Sequence, residues 1–377
     1  MNSKKLLRIT TASLSLDILL KGQLAFLNKY YDIVGVASGE EKLNNVSRRE
    51  GIRVIHIPMS REISLWQDLQ SLILLIALFI KERPLIVHAN TPKASLLSMV
   101  AGWITRVPHR IYTVTGLRFE TAIGRLRKLL IAMEKITCWC ATKVIPEGEG
   151  VKKTLVREGI TNKPLRVVLN GNINGVDTQY YDRTAHVNLL ASEIREDGKF
   201  TFCFVGRLVK DKGINELVSA FTKLYLENDN IRLMLVGAFE KDLDPVLPET
   251  EYQILNHPAI SFIGFQQDVR PYLAASDALV FPSYREGFPN VVLQAGAMGL
   301  PAIVTDINGC NEIIKKGQNG VIVPPRNEDE LYAAMKYFVE HRDGEVVEMA
   351  RRARPNIIER FEQHKVWEAL LSEYQSL

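Results

Sequence analysis

The chain has 377 residues, 46% hydrophobic and 24% charged, which exceeds one ordinary core, predicts two domains and excludes a disordered chain. Four scattered cysteines exclude a disulfide scaffold and point to a reducing compartment, the cytoplasm. The net charge of +4 hides an asymmetry, because residues 1–170 carry 26 Lys plus Arg against 13 Asp plus Glu, an excess that draws nucleic acid, anionic lipid or a phosphorylated acceptor without choosing among them.

Met1-Asn2-Ser3-Lys4-Lys5 leads straight into an apolar strand, with no secretory leader, so the mature chain is expected to start there. Strands are predicted at 6–10, 33–37, 53–56, 85–89, 110–114 and 143–146, with helices filling most gaps. The most apolar run, 69–80, is shorter than the about 20 residues that cross a bilayer and predicts a buried or interfacial helix. Arg118, Arg125, Arg127 and Lys128 lie among Leu117, Phe119, Ile123, Leu126, Leu129 and Leu130, a mix that suits either a solvated amphipathic helix or anionic headgroups. Cys138-Trp139-Cys140 has the wrong spacing for metal or redox chemistry and reads as core.

Turn formers at 171–177 mark a hinge, and 184–199 reads as connector or helix. A second set of strands follows at 202–205, 232–236, 260–262, 278–281, 302–305 and 320–323. Strand and helix alternate throughout, so the fold class is α/β, with two Rossmann-like, doubly wound parallel sheets. The expected domains are 1–172 and 173–357, with 358–377 a terminal helix crossing back to the first. Tyr332, Met335 and Phe338 follow helical spacing and are expected in the core.

Ligands of open parallel sheets bind beyond the carboxyl ends of the strands. The segment Val205-Gly206-Arg207-Leu208-Val209-Lys210-Asp211-Lys212-Gly213 leaves a strand and enters a helix, so Arg207 and Lys212 are expected to share one focus suited to a diphosphate. They read equally as exposed surface cations. In Glu286-Gly287-Phe288-Pro289-Asn290, before a helix at 291–298, the carboxylate suits sugar hydroxyls and the free amides suit oxyanions, though Glu286 also reads as a helix cap. Gly237, Phe265 and Gln266 follow other strands of this half, where they read as turn or core as readily as ligand contact. Glu312 reads as a helix cap. Asp242-Leu243-Asp244 mimics a metal-binding Asp-x-Asp but sits in a loop, and no metal is expected.

In order along the chain, His88-Ala89-Asn90-Thr91-Pro92-Lys93, Tyr112-Thr113-Val114-Thr115-Gly116-Leu117, Asn170-Gly171 with Asn174-Gly175-Val176-Asp177, the 206–213 loop and 286–301 are similar to the retaining glycosyltransferases of the GT-B fold, family 4. They most resemble its capsular and lipid-linked polysaccharide branch. The resemblance implies two domains facing each other across a cleft, and metal-independent transfer with retention from a nucleotide-diphosphate sugar, commonly a UDP-sugar. Arg207 and Lys212 would then hold the diphosphate, and Glu286 the donor sugar. Gly206, Gly237, Phe265, Gly287, Phe288, Pro289 and Asn290 would complete the donor site. Gln294 stands where the family places its second glutamate, so an amide would meet the ribose.

On the acceptor side the expected residues are His88, Asn90, Thr115, Gly116 and Arg118. Thr115 precedes Gly116 where many relatives have histidine, and Thr10 to Ser15 replace the usual Gly-Gly loop. His88 reads more readily as a satisfied core histidine. The implied acceptor is a saccharide, typically lipid-diphosphate-linked, met at the inner face of the cytoplasmic membrane by peripheral contact with its anionic surface. No nucleic acid is expected. A nucleotide-sugar epimerase and a non-catalytic sugar-nucleotide-binding protein are the alternatives.

Overall fold

The computed structural model of the chain describes residues 4–60, 64–240, 242 and 244–377. The chain divides into two compact units, one comprising Met1–Gly175 with His364–Leu377, the other Val176–Gln363.

In the first unit, β1 (Lys5–Ala12), β2 (Asp32–Ser38), β3 (Arg53–His56), β4 (Ile86–Ala89), β5 (His109–Val114) and β6 (Lys143–Pro146) form one sheet in the order β3-β2-β1-β4-β5-β6. All its pairings are parallel. Its central strands are buried on both faces, as Leu6, Leu7 and Ile9 show, because helices cover both sides of a parallel sheet. Val87 and Val114 pack in one core layer, and Ile86 and Ile111 in the other. The helix Gln363–Gln375 joins this second layer through Leu370, Leu371 and Tyr374.

In the second unit, β7 (Phe200–Val205), β8 (Ile231–Val236), β9 (Ile260–Gly264), β10 (Ala278–Phe281), β11 (Ala302–Thr305) and β12 (Gly320–Val323) repeat the plan as β9-β8-β7-β10-β11-β12. Strand order therefore reverses between β1 and β4 in one sheet, and between β7 and β10 in the other. Such a switch point leaves a crevice beyond the strand ends.

The helix Leu65–Glu82 contains the apolar run and buries only one face, with Leu75, Leu78 and Phe79 inside and Leu69, Ile73 and Ile80 exposed. Among the described residues no helix is long and apolar enough to cross a membrane. The segment 184–199 contains the helix Ala185–Ile194, capped by the Thr184 hydroxyl. Met335 and Phe338 are core, but Tyr332 is half-buried because its hydroxyl donates to exposed Glu227. All four cysteines are buried and free.

Candidate functional site

Both chemistry-bearing loops of the second unit flank its switch point, since residues 206–213 follow β7 and 282–290 follow β10. Glycines set their approach. A Cβ on Gly237 would lie 1.8 Å from the Gly206 carbonyl oxygen, and one on Gly213 would lie 2.2 Å from that of Pro282. Both have positive φ, so side chains are excluded by strain as well as by space. Backbone bonds from Leu208 N to Ala238 O at 2.9 Å and from Tyr284 N to Asp211 O at 2.9 Å tie the three loops together. Asp244 Oδ2 accepts from Asp211 N at 2.7 Å. Leu243, the middle of the Asp-x-Asp sequence, lies outside the described residues.

The predicted cations lie in this assembly, but each is paired with its own carboxylate rather than both meeting at one point. Arg207 pairs with Glu240 and Lys212 with Glu286. The Arg207 side chain is 59% exposed, whereas those of Lys212 and Glu286 are 18% exposed. Lys212 Nζ also lies 5.2 Å from the centre of the Phe281 ring, and Glu286 Oε1 accepts from the Ser283 hydroxyl at 3.0 Å. Glu286 therefore answers a lysine and a serine rather than capping a helix, because the following helix is Asn290–Ala297 with Pro289 at its cap position. Asp211 accepts from Arg285 Nη2 at 3.1 Å, and the Tyr284 hydroxyl donates to Glu216. Sequence reasoning missed Glu240 as the partner of Arg207. Its only signal is its place just past the glycine that ends β8.

The other donor-side residues fall into two groups. Gly206 and Gly237 form the close strand-end contact, Phe265 is 76% exposed beyond β9, and Gln294 is half-buried on the helix Asn290–Ala297. Gly287, Phe288 and Pro289 are buried instead. The Phe288 ring packs 5.5 Å from that of Phe361, so the ring supports the loop from inside. Glu312 Oε1 accepts from Gly309 N at 3.4 Å, so its side chain reaches back to the start of its own short helix. Cys310, at the start of that helix, is fully buried, and burial holds its thiol well above the ordinary range, so it is not a nucleophile.

In the first unit, His88 and Asn90 are fully buried, which removes both from the surface that an acceptor would touch. His88 Nδ1 bonds the Tyr374 hydroxyl at 2.5 Å, and Nε2 bonds the Thr113 hydroxyl at 2.7 Å. Burial, with Arg8 and Lys143 nearby, holds the imidazole well below its ordinary pKa and therefore neutral. The Thr115 hydroxyl donates to the Asn90 carbonyl at 2.6 Å, and Gly116 adopts φ 138°. Arg118 is exposed.

Beyond the switch point of this sheet lies a pocket of about 300 Å³. Ala12, Leu96, Phe119, Leu130 and Met133 supply its apolar lining, and Lys93, Arg118 and Glu134 its charged groups. Lys93 is paired with Asp68 at 2.6 Å. Glu134 accepts from the Tyr112 hydroxyl at 2.8 Å, and burial pushes its carboxyl up from 4.5 to about 7. The folded chain thus keeps a proton there between pH 4.5 and about 7 that the unfolded chain loses, so this group makes stability fall as pH rises through that window. Glu134→Gln removes the slope. In denaturant titrations its stability relative to the native chain should improve by about 3 kcal/mol between about pH 4.5 and about pH 8; a pH-independent difference would rule out the buried proton.

Comparison with known proteins adds findings of three kinds. The sequence profile "Glycosyl transferases group 1" matches residues 199–341, and "Glycosyl transferase 4-like domain" matches residues 31–171. The chain is 32% identical over 380 residues to the capsular polysaccharide biosynthesis glycosyltransferase CapM of Staphylococcus aureus, covering 100% of this chain and 98% of that one. It is 28% identical to an Escherichia coli protein named UDP-Gal:alpha-D-GlcNAc-diphosphoundecaprenol alpha-1,3-galactosyltransferase, covering 83% of this chain and 81% of the relative. Among solved structures, HepE (Alr3699) of Anabaena in complex with UDP superposes with a TM-score of 0.83 at 18% identity, covering 99% of this chain and 100% of that one.

Proposed function

This chain belongs to the group 1 glycosyltransferases of GT-B fold, and from that premise we propose that it moves a sugar from a UDP-sugar to a lipid-diphosphate-linked saccharide, with retention and without a metal, in capsular or surface polysaccharide synthesis. The observation that carries the donor half of this reading is the set of paired charges at the second switch point, Arg207 with Glu240 and Lys212 with Glu286. UDP in the solved relative, and the nucleotide sugar in the name of the Escherichia coli protein, support the choice of donor. The capsular and diphosphoundecaprenol names of the relatives support the acceptor and the pathway class.

In this mechanism the bond between the anomeric carbon and the β-phosphate oxygen breaks as the acceptor hydroxyl bonds the same face of that carbon. The hydroxyl proton passes to the departing diphosphate, so atoms and charge balance without a protein nucleophile. Negative charge grows on the leaving oxygen, where Arg207 and Lys212 stabilise it more than they stabilise the bound donor. Glu286 accepts hydrogen bonds from the sugar and fixes its angle of attack. Two cations supply the charge neutralisation that a metal would otherwise give.

A thermal-shift series with nucleoside diphosphates and nucleotide sugars, run with a chelator, tests the donor site. Binding at about 100 times Kd adds roughly 2.7 kcal/mol of apparent stability, so UDP should raise the melting temperature of the native chain but not that of Arg207→Ala. No shift with any nucleotide would sink the proposal, and a shift that needs a divalent cation would sink its metal-free form.

The proposed site of action is the anionic inner face of the cytoplasmic membrane. Arg125 and Lys128 are exposed beside exposed Ile123, Leu126 and Leu129, whereas Arg127 is engaged with Glu158 at 2.6 Å. Each headgroup-facing cation contributes about 1 kcal/mol, so the double change Arg125→Ala with Lys128→Ala should weaken binding to phosphatidylserine vesicles at low salt by ~10-fold or more. Unchanged vesicle binding would remove this surface from consideration.

A further inference from the structure

The apolar pocket in the first unit sits beyond the ends of β1, β4 and β5, at the point where ligands of such sheets collect. Its volume, about 300 Å³, is at the lower end of the roughly 300–1,000 Å³ typical of small-molecule sites. A saccharide is a poor occupant. The hydroxyls of Thr11, Thr91 and Thr137 on the lining are already bonded within the chain, so sugar hydroxyls set against Leu96, Phe119, Leu130 and Met133 would lose water and find few free partners. An apolar chain has no such penalty.

The charges on the lining differ in availability. Lys93 is buried and neutralised by Asp68. Arg118 is exposed, and no ion pair is formed by it among the described residues. The pocket thus presents an apolar interior with one available cation at an exposed position, which complements an amphiphile whose head is anionic. On the helix Gly124–Cys140, Leu130 and Met133 face the pocket while Leu126 and Leu129, with Ile123 just before the helix, are exposed. The helix Leu65–Glu82 likewise exposes Leu65, Trp66 and Leu69. Burial raises the Glu134 pKa to about 7, so about half of its carboxyl is neutral at pH 7 and it opposes an apolar occupant less than a free carboxylate would.

We propose that this pocket holds the first isoprenoid units of the lipid-diphosphate acceptor, with Arg118 engaging the adjoining diphosphate. The inference rests on the lipid-linked reading above and assigns the lipid, rather than the acceptor sugar, to this pocket. Met133 and Leu96 then act as determinants of specificity for the lipid, touching neither the donor nor the reacting atoms.

The test uses the full chain saturated with UDP, which occupies the donor's diphosphate site, and compares farnesyl diphosphate with isopentenyl diphosphate by calorimetry. The longer chain should bind at least ~10-fold more tightly, given the favourable burial of its extra hydrocarbon. Met133→Trp, which fills the pocket, should erase that preference while the UDP-induced thermal shift persists. Equal affinity for the two lipids, or a preference unchanged in Met133→Trp, overturns the assignment. If that variant loses the UDP shift through misfolding, a photoreactive farnesyl diphosphate on the native chain decides. Labelling at Leu96 or Met133 supports the pocket, and labelling confined elsewhere overturns it. Failure of UDP itself to bind the native chain counts against the donor reading, not against this pocket alone.

Discussion

Lys212→Ala is expected to lower turnover by roughly 10²–10³-fold, the usual cost of losing one preorganised group that stabilises developing negative charge, while the fold survives. Lys212 ends a short 3-10 turn, Lys210–Lys212, and Gly213 follows it in the left-handed region at φ 69°, packed against Pro282. The backbone that aims the lysine is therefore fixed by groups the substitution leaves in place. Glu286 loses its cation but keeps the Ser283 hydroxyl, and its side chain retains 18% exposure, so water can solvate it. The stability cost should lie between the about 1 kcal/mol of a surface pair and the about 3–5 kcal/mol of a fully buried one. The free-energy loss should appear in kcat and kcat/KM alike if the lysine acts mainly in the transition state. Measured as UDP release, a kcat within about threefold of the native value would show that the leaving group does not depend on this cation. Glu286→Ala makes a useful contrast, because it frees Lys212 for the phosphate while removing the proposed sugar contact.

Most strands were legible because buried parallel strands are short, nearly continuous apolar runs. Residues 200–205, 231–236 and 278–281 each stop at a loop containing Gly, Pro or charge. Loop chemistry was legible for the same reason, since strand ends place their following residues predictably. What periodicity could not supply was the partner of each polar group. Glu240 lies 33 positions from Arg207 in sequence, and Tyr374 lies 286 from His88. Those pairings depend on strand order and on the return of the terminal helix, neither of which leaves a local signature. Arg127 illustrates the limit. Its neighbours Arg125 and Lys128 are exposed as an amphipathic pattern predicts, but Arg127 itself turns to Glu158 and lies 5.8 Å from the Phe119 ring. Asn90 shows it again, for a residue at a strand end reads as accessible until the surrounding layers bury it completely.

Tyr374→Ala should destabilise the first unit by about 4–5 kcal/mol, at the upper end of aromatic-to-alanine changes in a core. Two effects combine. The ring is buried, 5.9 Å from Tyr31 and 5.7 Å from His88, so truncation leaves a void between the helix Gln363–Gln375 and the sheet. The hydroxyl is also a shared partner, accepting from Arg8 Nη1 at 3.2 Å and bonding His88 Nδ1 at 2.5 Å. Arg8 is fully buried with no carboxylate partner among the described residues, and its other side-chain bond goes to Gln23 Oε1 at 3.2 Å. Its Nε already has no partner, so the guanidinium tolerates little further loss. Tyr374→Phe separates the two effects, since it keeps the ring and should cost about 1–3 kcal/mol for the buried groups left short of a partner. The two variants should also retain the acid sensitivity that His88 brings. With its folded pKa well below 6.5, His88 contributes stability that is present above pH 6.5 and is lost as pH falls, because the unfolded chain then takes up a proton the folded chain refuses. Chemical denaturation in which Tyr374→Phe matches the native chain would mean that Arg8 and His88 find replacement partners, and the whole cost in Tyr374→Ala would then belong to the lost ring.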